Sequence, residues 1–138
     1  QAFVDAAASG DAFEIAESKL ALTRSENADV KAFATKMIAA HTESTAKMEK
    51  AAATAMPAII PDAALTPAQR TKVDALGALS GAAFDKQYAA DQVEAHQGAL
   101  AAMRHYAADG TVAALKTLSE ELAPVVQSHL DMAMKLEQ

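Results

Sequence analysis

Residues 57–67 read Pro-Ala-Ile-Ile-Pro-Asp-Ala-Ala-Leu-Thr-Pro. Pro57 and Pro61 cannot lie inside a helix, because proline lacks an N–H and its ring clashes with the preceding turn. Thr66 followed by Pro67 has the form of an N-cap and a first-turn proline. The stretch therefore ends one long helix and opens a short one. It also divides the chain into two halves, each of which reads as a helical pair.

Upstream, apolar residues at helical spacing (Phe3, Ala6, Ala7, Gly10, Phe13, Leu20, Ala21) predict a helix from about Phe3 to Ser25. Gly10 weakens it; the glycine either admits a close neighbour or marks a break recapped by Ser9 or Asp11. The turn at residues 25–29 is short, so the next helix, about Ala28 to Ala55, returns antiparallel. Downstream of Thr66 a short helix runs from about Pro67 to Leu79. Ser80-Gly81 separates it from a long one, about Ala82 to Ala108, which Asp109-Gly110 ends in the manner of a left-handed C-cap. A last helix spans about Thr111 to Leu136, with Pro124 predicted to kink it near Glu120 or Glu121. Two antiparallel pairs joined by a long connection give a single all-α domain over residues 1–138: a ferritin-like antiparallel four-helix bundle with a short extra helix in the crossover. The rival arrangement is a plain five-helix array.

Composition agrees with this reading. Aromatics make up 4% of the 138 residues and tryptophan is absent, which leaves few platforms for base stacking. The net charge of -6 repels phosphate backbones, so nucleic acid is not an expected partner. Without cysteine there is no disulfide, thiolate ligand or thiol nucleophile. No apolar run is long enough to span a bilayer. The chain starts at Gln1, as a mature form with a removed targeting segment would. Alanine-rich outer faces leave room for a homodimer, and no protein partner can be read from the residues.

The informative residues are polar ones on apolar stripes. His41, His96 and His129 each sit on the inner face of a different helix. Gln92 is one turn before His96, and Glu14 and Glu17 face inward from the first helix. His105 lies on the opposite side from His96 and reads as exposed. Imidazoles buried in hydrocarbon need partners, so three that converge form either a hydrogen-bonded network or a metal site. Three neutral imidazoles with Glu14 or Glu17 suit zinc or another borderline divalent ion. Met37, Met103 and Met132 lie one or two turns from the histidines and open a copper reading, although methionine at this spacing more often fills a core. Zinc is preferred to copper.

Ferritin-type di-iron chemistry needs Glu-x-x-His pairs. The residues three before the histidines are Ile38, Val93 and Val126, so an oxidoreductase of that class is disfavoured. No phosphate loop, nucleophile elbow or His-Glu-x-x-His pair is present. No catalytic residue and no organic cofactor are expected. The residues favour metal binding over turnover, with a structural or interaction module as the alternative.

The segments FEIAESKLAL (13–22), VKAFATKMIAAHTES (30–44), LSGAAFDKQYAADQVEAHQGAL (79–100) and LAPVVQSHLDMA (122–133) resemble a bacterial exported family, Domain of Unknown Function 4142, grouped with ferritin-like bundles. The resemblance extends from Phe3 to Leu136. It implies a periplasmic or otherwise exported protein with a ferritin-like fold and places His41, His96 and His129 on the family pattern. It implies no reaction.

Overall fold

The computed structural model covers residues 1–138 and contains five helices and no strand. These are α1 (Ala2–Arg24), α2 (Ala28–Ala52), α3 (Pro67–Gly77), α4 (Gly81–Asp109) and α5 (Ala113–Leu136). The caps explain several boundaries. The Asn27 side chain accepts from the backbone N–H groups of Asp29 and Val30 at 2.8 and 3.3 Å and starts α2. Thr66 and Gln69 form a reciprocal capping box that starts α3. Gly10 does not break α1, and a Cβ placed there meets nothing within 4 Å, so no neighbour packs close against it. α2 stops at Ala52, short of the expected Ala55. α5 continues through Pro124.

One expectation is corrected at Gly110. Its φ is -67°, so it is no left-handed cap. Its N–H still closes the last turn by donating to the Tyr106 carbonyl at 2.7 Å. A side chain at this position would collide with the Tyr106 ring, and that collision, not backbone handedness, accounts for the glycine.

α1 packs along α2 and α4 along α5, with lighter contacts joining α1 to α4 and α2 to α5. Two apolar clusters fix the directions. One gathers Ala21 from the end of α1, Phe33 and Met37 from early α2, Phe84 and Tyr88 from early α4, and Ala133 from late α5. The other gathers Val4, Met48, Ala52, Met103, Leu115 and Leu118 from the opposite ends of the same helices. Packed neighbours are thus antiparallel, and the connection from α2 to α4 must travel the full length of the assembly. α3 lies in that connection, across α1 and α4, with Leu76 fully buried in the first cluster. No helix is long and apolar enough to cross a membrane.

Between the two apolar clusters lies a layer with a different character. Glu14, Glu17, Ser18, His41, Asp91, Gln92, His96 and His129 are all buried. Desolvating so many polar groups is costly unless they find partners, and their partners define the site.

Candidate metal centre

Each long helix supplies one inward side chain. α1 presents Glu14, α2 His41, α4 His96 and α5 His129. One ring nitrogen from each histidine lies within 4.8 Å of those of the other two. The ring centroids are 5.6 Å apart for His41 and His96, 6.2 Å for His41 and His129, and 6.0 Å for His96 and His129. Glu14 joins them: Oε2 is in contact with His41 Nε2, and Oε1 is 3.7 Å from His96 Nδ1.

The outer nitrogens of two of the rings are held in place. His41 Nδ1 is 2.7 Å from Asp11 Oδ1. Asp11 Oδ2 in turn accepts from the Ser44 hydroxyl at 2.7 Å and lies 2.9 Å from Thr45 Oγ1. His96 Nδ1 is 2.7 Å from the Gln92 carbonyl oxygen. A carbonyl only accepts, so Nδ1 donates in this bond, and in the neutral form of the ring the lone pair falls on Nε2. That Nε2 is buried without a hydrogen-bond partner. Glu14 Oε2 and His41 Nε2, although in contact, also lack one of proper geometry. Anchored Nδ1 atoms and unpartnered Nε2 atoms are the arrangement in which outer hydrogen bonds orient imidazoles toward an ion.

Charge in the cluster is uneven. Burial works against an imidazolium at His41, but the Glu14 carboxylate and the hydrogen bond that His41 donates to Asp11 outweigh it, and the pKa rises to about 10. Burial would likewise raise Glu14, yet the charge of the contacting His41, with His96 and His129 beyond, brings it below its usual value. Burial, then the charges of His41 and His96, lower His129 to about 4. Free of an ion, the protein holds a buried ion pair beside a neutral imidazole.

Glu17 is placed elsewhere. It forms no ion pair with a histidine; its Oε1 accepts from Gln92 Nε2 at 3.2 Å, and it faces Asp91. Burial, then the hydrogen bond and charge of Asp91, push its carboxyl up to about 10, so it is held as the neutral acid. His105 is exposed and lies 3.5 Å from Asp109. Met37 and Met103 belong to opposite apolar clusters, and Met132 packs against the first.

The group most easily missed in the sequence is Asp11. It stands three residues before Glu14 and so shares its helix face, but its position beside Gly10 suggests a cap. Asp91 is also missed, because it adjoins Gln92 and lies off the centre of the apolar stripe.

The fold and the cluster define an all-α protein with a buried group of three histidines and a carboxylate. The chain belongs to the family described as Domain of unknown function (DUF4142), whose model matches residues 1–136. No curated protein and no solved structure matches it.

Proposed function

We propose that this chain is a periplasmic, ferritin-like four-helix bundle that holds one divalent metal ion, zinc in preference to copper, and serves metal homeostasis or stress protection without turning over a substrate. His41, His96 and His129 supply nitrogen and Glu14 supplies oxygen. Glu17, held as a neutral acid, stands behind this set. The export assignment rests on the family resemblance alone. The ferritin-like assignment draws support from the antiparallel pairs and the long crossover.

One observation carries the reading: His96 Nε2 is buried without a hydrogen-bond partner in a cluster where one ring nitrogen from each of three histidines lies within 4.8 Å of the others. A buried acceptor without a donor costs about 1–3 kcal/mol, and a bound ion removes that penalty. A tetrahedral zinc ion about 2.0–2.1 Å from each nitrogen sets the nitrogens roughly 3.3–3.4 Å apart. The bound of 4.8 Å on the nitrogen separations is compatible with that spacing. The donors are nitrogen and oxygen, with the methionines engaged in the end clusters, which favours zinc over Cu(I).

The test is a zinc titration of chelator-treated protein against a competing indicator. One zinc per chain is expected, and His96→Leu should weaken binding at least 100-fold while the helical signal persists. Absence of saturable binding, or a His96→Leu variant that binds as tightly as the parent, overturns the proposal.

A second reading has one observation in its favour. Asp11, His41 and Glu14 form a charge-paired row that satisfies His41 without an ion. On that reading the cluster is a structural network, His41→Leu destabilises the protein in chelator, and added zinc changes nothing.

A further inference from the structure

The candidate centre is buried, yet it is not sealed. A cleft of about 410 Å³, lined by residues of all five helices, reaches His41, His129, Asp11 and Glu14. Its walls are largely small or apolar, including Ala95, Ala99 and the glycines Gly10 and Gly98. A Cβ built at Gly98 meets nothing within 4 Å, so the space beside it is open.

The charged residues along this cleft are mostly of one sign. Asp11, Glu14, Asp91 and Glu94 line it, against one ammonium, Lys72 of α3. They differ in depth: Glu94 is exposed, whereas Asp91 and Glu14 are buried. Lys72 Nζ sits 2.6 Å from Glu94 Oε2, and its charge also acts on Asp91 and Glu17. Asp91 has one oxygen engaged by the Gln87 amide at 2.8 Å and borders the cleft.

We infer that this cleft is the entry path for the cation, with Glu94 and Asp91 drawing the ion inward and the Lys72–Glu94 pair acting as a brake at its mouth. The inference rests on the metal reading above and adds how the same site is filled. Apolar walls of low dielectric concentrate the field of a few like charges, which raises the local concentration of counter-ions and their on-rate. The carboxylates that line the cleft range from exposed Glu94 to buried Asp91 and Glu14, and they offer oxygen donors in the same cleft as His41 and His129. Lys72 opposes this field where the path opens. α3, which carries Lys72, is held in place by Leu76 in the first apolar cluster.

Stopped-flow loading of Zn²⁺ into chelator-treated full-length protein, beside equilibrium titration, tests the path. At low salt, Asp91→Asn and Glu94→Gln should each slow loading about three- to tenfold, within the range that steering supplies. Lys72→Met should speed it by a similar factor. Affinity should stay within about twofold of the parent in all three, because the release rate moves with the loading rate. Salt at 0.5 M should erase the differences. Gly98→Phe fills the path without endangering the helix, since glycine is the poorer helix former, and should slow both loading and release. Loading rates equal to the parent in all four variants overturn the path and leave the metal reading standing. A protein that takes up no zinc at equilibrium overturns both.

Discussion

The two hairpins meet at the same centre with different equipment. The α1–α2 half brings Asp11, Glu14 and His41, and supports them with the Ser44 and Thr45 hydroxyls. The α4–α5 half brings two imidazoles and no carboxylate in contact with them; His96 is steadied by a backbone carbonyl and His129 by no hydrogen bond. One half is rich in carboxylates and tied by side-chain hydrogen bonds, and the other offers imidazoles with a single backbone anchor. A centre divided this way has Asp11 and His41 fixed by side-chain hydrogen bonds, whereas of the two rings in the second half only His96 is anchored, by a backbone carbonyl.

The largest effect should come from the apolar clusters at the ends, not from either half of the centre. Phe84 is fully buried and stacks on Tyr88 with centroids 5.8 Å apart. Phe84→Ala should cost about 3–5 kcal/mol in denaturant unfolding; a loss under 1 kcal/mol would show that the polar layer, not the ends, holds the hairpins together. Next is zinc itself. At 100 times its dissociation constant it should add about 2.7 kcal/mol to stability, and the gain should vanish in His129→Ala if this ring is one of the ligands.

Asp11→Ala probes the charged half through a residue outside the proposed ligand set. It should weaken zinc binding 10–100-fold, the usual cost of losing an outer partner of a metal-bound histidine. Unchanged affinity would mean that His41 is oriented by packing alone.

The pH response of the ion-free protein sharpens the same contrast. Glu17 and His41 have folded pKa values near 10, above their ordinary values of 4.5 and 6.5. The stability from each is complete below its ordinary pKa and disappears as pH rises through 10. Stability in chelator should therefore fall between pH 7 and 10, by no more than about 1.4 kcal/mol per pH unit for each group. His129 acts with the opposite sign: its folded pKa is near 4, so its share is lost as pH falls from about 6.5 toward 4. Glu17→Gln, which mimics the neutral acid, should flatten the alkaline decline, and thermal melts across pH would show an unaltered slope if Glu17 titrates normally. The smallest effect is expected at Gly10, where alanine has open space in a helix and should stabilise by about 0.5–1 kcal/mol.

The sequence made the helices and the meeting of His41, His96 and His129 legible, because an apolar stripe fixes which way a helix turns its residues and each ring sits near the middle of its stripe. It did not separate Glu14 from Glu17. Both lie on the inner face, but their offset points one at the imidazoles and the other at Gln92 and Asp91. Asp11 stayed hidden because its partners, His41, Ser44 and Thr45, are 30 to 34 residues away and carry no local signature. Gly110 misled because glycine after a helix usually signals handedness, whereas here the Tyr106 ring leaves no room for a side chain.

The connection from α2 to α4 runs the length of the molecule, and residues 53–66 carry no helix. Proteolysis there would give two fragments, one ending after α2 and the other beginning with α3, each holding part of the ligand set. An ion bound across them would then work as a rivet, and the nicked protein would part or stay joined according to whether zinc or a chelator is in the buffer.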